Sequence, residues 1–351
     1  MRWVEHARVL VLLPVVALGV FAPGLAGLAR PRPPAPIEAP PPPPPPPEPA
    51  GPVGLPDRMI QDAAAYDSYM REAVAISPAF IDAASVSKAL SLARAYAPKS
   101  LIRGAVAYGA IAALEDQNFI AALRAAGNSP EHRGQMVDYI IANPAYLYGF
   151  AGYDVAAALA REALGPTALR LYRTGLDVRQ AAYDIQKQGW SKLEVTDLKG
   201  RLAAAEAAAD KDMEPEPERL ADARQAINGP APLPTVAEPL APPYTPIIAH
   251  ALQLAAIAAL GEARNDTYER VAVLTTDHDT IDCLGVAKRN FHECLAVAKP
   301  NYEDIFCTGQ HGLSDTGACM VKASGLELPV PPPPPPAPPA KKKTSHRRRT
   351  A

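Results

Sequence analysis

Proline placement constrains this chain before any other feature does. Of its 41 prolines, 15 fall in residues 31–56, nine in 215–246 and nine in 329–339. Proline fixes φ and lacks an amide hydrogen, so dense runs of it enter neither helix interiors nor sheet ladders. The remaining prolines are spread at ordinary density, which excludes one continuous globular domain. Collagen is excluded too, because glycine numbers only 22 and shows no triplet period. A modular chain remains. Its divisions read as 1–29, signal peptide or N-terminal anchor; 30–56, Pro-rich disordered spacer; and 57–213, helical domain. Then come 214–246, Pro-rich linker; 247–328, helical module with two disulfides; and 329–351, polyproline and basic tail.

The N-terminus points to export. Arg2 and Arg8 face a single Glu5, and residues 9–29 then carry no charge. The apolar core 9–21 is short, interrupted by Pro14 and followed by Gly24, Ala26, Gly27 and Ala29. This is the order of a secretory signal, with cleavage after Ala26 or Ala29. An uncleaved inner-membrane anchor is the rival reading. Pro23 and the positive Arg30 and Arg32 on the far side weigh against it. The expected location is exported, periplasmic or cell-envelope. All four cysteines, Cys283, Cys294, Cys307 and Cys319, lie in one stretch without a C-x-x-C pair, as structural disulfides of an oxidising compartment would.

Residues 57–213 read as all-α, a bundle or orthogonal array of helices. Asp57 reads as an N-cap, with Tyr66, Tyr69, Met70, Ala73 and Val74 on one face. Ser77-Pro78 reads as a helix start, with Ala83, Val86, Leu90, Ala93 and Ala97 as its stripe and Pro98 as its end. Ser129-Pro130 and Asn143-Pro144 are cap-then-proline starts, and Gly165-Pro166 is a stop. Period-two alternation is absent, which argues against sheet. Farther on, a short helix fits Arg219–Asn228, and 247–260 reads as a buried helix too short to span a membrane.

A helix over Asp282–Val297 would hold Cys283 and Cys294 roughly 16 Å apart, too far for a disulfide. Two connectivities survive. The turn Lys299-Pro300-Asn301 favours the nested one, Cys294–Cys307 with Cys283–Cys319. Gly309, Gly312 and Gly317 make the returning arm read as irregular, so the other pairing stays open. His278, His292 and His311 lie nearby, but their spacing fits no zinc motif. No metal and no cofactor is expected. Asp277-His278-Asp279 reads as a helix cap.

No catalytic set emerges. Gly312-Leu313-Ser314-Asp315-Thr316-Gly317 resembles a nucleophile elbow, with its second glycine one residue late and no strand before it. Glu115-Asp116 could be a glycosidase-like carboxylate pair, or simply a polar flank before Phe119. Phosphate-loop, metalloprotease and Rossmann motifs are absent. Two aromatic faces are candidate partner-binding sites: Tyr146, Phe150 and Tyr153, with Tyr139 and Tyr148 nearby; and Tyr183, Gln186 and Trp190. Each could stack on a sugar or grip a partner helix. Ordinary helix packing is the plain alternative.

The run Val178–Lys192 (VRQAAYDIQKQGWSK) resembles a segment of an uncharacterised family of exported alphaproteobacterial envelope proteins. Glu293–Cys319 is similar to that family's C-terminal cysteine segment. The resemblance covers 57–325. It implies a Gram-negative envelope location and transfers no activity.

Net charge is −2, yet Lys341, Lys342, Lys343, Arg347, Arg348 and Arg349 place six positive charges at the end of an otherwise acidic chain. A cationic tip behind a proline stalk suits an anionic membrane surface, or serves solubility alone. Nucleic acid would suit it by charge, but is not expected for an exported chain. The combined expectation is a non-enzymatic envelope structural or interaction protein, whose partner is an envelope protein or glycan. The alternative is a cell-wall (glycan) processing enzyme or its regulator. An enzyme would need an open pocket holding an isolated carboxylate of raised pKa; a binder would need an exposed aromatic patch.

Overall fold

The computed structural model describes residues 50–195, 197–228 and 237–329. Stripes of alanine and larger apolar residues at three- and four-residue spacing give the expected all-α architecture: 13 α-helices and no strand among the described residues. In chain order, the first seven helices are α1 Asp57–Val74, α2 Ala83–Ala93, α3 Pro98–Ala113, α4 Gln117–Ala126, α5 Pro130–Ala142, α6 Tyr153–Ile185 and α7 Leu198–Asp210. They are followed by α8 Pro217–Asn228, α9 Pro246–Ala259, α10 Tyr268–Ala272, α11 His278–Val297, α12 Asn301–Cys307 and α13 Thr316–Ala323. A π-helical segment, Thr308–Asp315, joins α12 to α13 without a break. None of the described helices is long and apolar enough to cross a membrane.

One hydrophobic cluster draws on both 57–213 and 247–328. Its centre is α9, of whose 14 residues all but Pro246 and His250 are buried. That helix packs against α3, α4, α5, α6 and α13. Gln253, its buried amide, donates to the Ile140 carbonyl of α5. Helix α6 runs 33 residues, about 50 Å, and forms the beam on which α1, α3, α9, α12 and α13 rest.

Several start and stop signals act differently from the sequence reading. Asp57 is the first helical residue rather than the cap, and it exchanges hydrogen bonds with Asn265 (2.8 and 2.9 Å). Helix α2 starts five residues after Pro78, where Asp82 and Ser85 form a reciprocal capping box. Pro98 opens α3 instead of closing α2. Gly165-Pro166 does not stop α6; Pro166 sits inside it. A residue before proline is disfavoured in a helix partly because its β-carbon clashes with the ring, and Gly165 has none. Leu326 packs where that β-carbon would be.

The front of the 214–246 stretch is tied to the bundle. The Met213 amide donates to Ser100 Oγ (3.3 Å) and the Glu216 amide to Ser68 Oγ (2.9 Å). Arg103 bridges Asp62 and Asp212, and α8 then lies along α1.

Candidate functional site

The two disulfides take the nested pairing, Cys283–Cys319 and Cys294–Cys307, with Cα–Cα distances of 5.9 and 5.6 Å. They staple α11 to the returning arm Asn301–Ala323. The cysteines of α11 are eleven residues apart and those of the arm twelve. In an α-helix eleven residues return to nearly the same face, whereas twelve overshoot by roughly 120°. The wider π winding absorbs the extra residue. The arm's glycines therefore do not make it irregular, as the sequence implied. They let it sink against α6: a β-carbon on Gly309 or Gly317 would strike the backbone of Arg179 or Tyr172.

The outward side of this arm carries a polar chain. Arg179 Nη1 donates to Gln310 Oε1 (2.6 Å), Gln310 Nε2 donates to Asp315 Oδ1 (2.9 Å), and His311 Nδ1 lies 2.8 Å from Asp315 Oδ2. One π turn separates Gln310 from Asp315, so the winding that sets the cysteine register also aligns this pair. Ser314, the serine of the elbow-like run, is buried with its backbone against Gly175 and follows a helix, not a strand. Asp116 is equally committed: its Oδ1 accepts from the Phe119 amide (2.7 Å) and caps α4. All four thiols are bonded, and among the described residues no three His, Cys, Asp or Glu side chains converge to hold a metal ion.

Tyr146, Phe150 and Tyr153 do not share one helical face. Asn143 Oδ1 accepts from the Ala145 amide and starts a 3₁₀ turn, Pro144–Gly149. That turn drives Leu147 inward and leaves Tyr146 and Tyr148 half-buried to either side. Tyr146 stacks on Tyr139 (5.8 Å between centroids) and meets the edge of Phe150 (5.4 Å). Gly152, at φ +83°, then redirects the chain into α6. Tyr153 instead pairs with Tyr148 (5.5 Å), which meets Tyr244 edge-on (5.6 Å). Nothing in the sequence links Tyr244 to this face, because it comes from the far end of the proline linker.

Tyr183 and Gln186 keep helical spacing, but Trp190 lies beyond the end of α6, which stops at Ile185. Tyr183 is 52% exposed and touches Phe306 (5.9 Å). Gln186 caps the helix. Trp190 lies in a 3₁₀ turn, its indole N–H donating to Gln188 Oε1 (2.6 Å). Buried Ser191 closes this turn by donating to the Ile185 carbonyl (2.6 Å).

No motif pointed to Asp304. It faces a groove of about 500 Å³ between α2, α7 and α12, lined also by Ser87, Arg94, Leu193, Arg201 and Asn301. Burial pushes its carboxyl up to about 6, while Arg201 beside it pulls the other way. The Arg201–Asp304 ion pair is almost fully enclosed, and Arg201 also donates to the Leu295 carbonyl (3.0 Å). The carboxylate is thus held rather than isolated. Nothing in the sequence marks the pair, whose members stand 103 residues apart.

No protein family, curated protein or solved structure matches this chain. The leader 1–29, the spacer 30–49 and the basic residues Lys341, Lys342, Lys343, Arg347, Arg348 and Arg349 lie outside the described residues.

Proposed function

We propose that the chain is an exported, non-enzymatic interaction protein of the cell envelope. Paired cysteines belong to an oxidising compartment, and the leader-like N-terminus agrees with export. The surface strip Tyr139–Tyr146–Phe150 carries the interaction reading. Tyr139 is 63% exposed although it stacks on a neighbour. Rigid aromatic rings offer large contact area at little entropic cost. The strip belongs to a body braced by two disulfides, and it suits an envelope protein or a glycan. The basic tail adds contact with anionic lipid, on the order of 1 kcal/mol per charge at low salt.

The test is photo-crosslinking in cells from a probe at position 139, with a probe at Gln135 as the control. A discrete adduct at 139 alone supports the reading; equal or absent adducts oppose it. The alternative, a glycan-processing enzyme, rests on the Asp304 carboxyl. Its pairing with Arg201 counts against an acid–base role. Release of soluble fragments from purified cell wall, abolished by Asp304→Asn, would favour the enzyme instead.

A further inference from the structure

The returning arm tracks α6 in a fixed sense. Phe306 meets Tyr183, Gln310 meets Arg179, Ser314 lies on Gly175, Gly317 on Tyr172 and Leu326 on Gly165. Each step forward in the arm is a step back along α6. The described chain continues to Pro329, with Leu328 still packed against the core. From Gly165 to Tyr153 is twelve residues of helix, about 18 Å. Polyproline II advances about 3.1 Å per residue, so roughly six residues beyond Leu326 cover that distance. They end in the unbroken run Pro331–Pro336.

The surface at that end fits such a segment. Tyr148 contacts both Tyr153 and Tyr244, and all three are half-buried. Among the described residues the hydroxyls of Tyr148 and Tyr153 have no hydrogen-bond partner. Polyproline II leaves its carbonyls free as acceptors, and aromatic-lined surfaces recognise it by stacking. A proline-rich stretch of this chain already crosses the same place. The Leu240 amide donates to the Asp154 carbonyl (3.0 Å), and Tyr244 Oη donates to the Leu240 carbonyl (2.7 Å). Thr245 Oγ1, beside Tyr244, donates to the Ala323 carbonyl (2.6 Å) and ties the exit of the arm to this site. The N-terminal tract joins elsewhere. Gly51 abuts Gly261 beyond the other end of α9, a helix length of about 21 Å from Thr245.

We propose that Pro331–Pro336 folds back across Tyr148, Tyr153 and Tyr244 of its own chain. The basic tip is then carried on a stalk anchored along α6 instead of swinging from Pro329. This inference does not rest on the envelope reading. A short tether gives the tract an effective concentration in the mM range. A contact with a Kd of about 0.3 mM would then be about three-quarters occupied, shielding the rings roughly fourfold.

The test is hydroxyl-radical footprinting of the full chain, read by mass spectrometry. The comparison is a full-length variant with Pro331–Pro336 replaced by an equal run of glycine and serine. Tyr148 and Tyr153 should oxidise about fourfold faster in the variant, with Tyr139 unchanged and no dependence on protein concentration. Equal rates would overturn the proposal. A parallel rise at Tyr139 would overturn it as well, since that reports general loosening. Protection that disappears on dilution would assign the contact to a second copy and overturn the intramolecular form.

Discussion

Gly175 and Ser314 are in backbone contact. A β-carbon on Gly175 would overlap the Ser314 amide and the Gly309 carbonyl, neither of which has a flexible end to move. This notch sets how close the stapled arm comes to α6.

Gly175→Ala should therefore destabilise the protein by about 3 kcal/mol, at the upper range for overpacking. Gly134→Ala is the internal control, because a β-carbon there meets nothing within 4 Å. It should be neutral or stabilising by up to about 1 kcal/mol. Urea unfolding with the disulfides intact measures both. Equal effects would show that the approach of the arm to α6 is not tight.

The disulfides should contribute unequally. Cys283–Cys319 closes 36 residues and Cys294–Cys307 closes 13. Loop entropy gives roughly 4 and roughly 3 kcal/mol. Paired alanine substitutions, each removing one bridge, should follow that order in denaturant midpoints. A larger loss from the short loop would mean that the bridges act through native-state contacts.

His250, half-buried, and Asp304, buried, should give opposite pH slopes. Burial lowers the pKa of His250, whose Nδ1 has no partner. The unfolded chain takes up that proton first, so stability is lost as pH falls below about 6.5. Asp304 is raised from 3.8 to about 6, so the folded chain keeps its proton longer. Its contribution is complete below about 4 and is lost between about pH 4 and 6, by at most about 3 kcal/mol. Relative to the natural chain, Asp304→Asn should make stability rise more steeply with pH across this window. His250→Leu should make it rise less steeply. Unchanged slopes in urea midpoints taken at half-unit pH steps would refute both.

Tyr139 and Tyr96 separate binding from stability. Tyr139→Ser should change stability by less than about 0.5 kcal/mol, since the ring is largely exposed. Tyr96 is buried and shares a 2.8 Å hydrogen bond with Thr316 Oγ1. Tyr96→Phe should cost about 1–2 kcal/mol by stranding that hydroxyl. Thermal unfolding checks both, and Tyr96→Phe should leave the adduct from the probe at position 139 unchanged.

Local rules made much of the fold legible. Ser129 caps α5 and Asn143 starts the next turn, as their following prolines implied. The chain reversal at Lys299-Pro300-Asn301 favoured the pairing found. The misread glycines share one physical origin. Gly309, Gly312 and Gly317 look like helix breakers until a second helix occupies the space they leave. Gly165-Pro166 looks like a stop until Leu326 fills the gap. The aromatic faces failed because helical spacing was carried through Asn143–Gly152 and past Ile185, where the backbone leaves the α-helix. Tyr244 and the Arg201–Asp304 pair depend on contacts across distant segments, which periodicity does not encode.

The burial of α9 has a consequence for how the chain matures. Ribosomes deliver the N-terminal segments first, so α3, α4, α5 and α6 are made while the helix that fills the space between them is still missing. Until residue 260 emerges, the walls of that slot are exposed apolar surface, prone to association with other chains. The cysteines arrive later still, so no covalent bond can guard this intermediate. Neither the central helix nor the bridges protect the chain until its last third has been made.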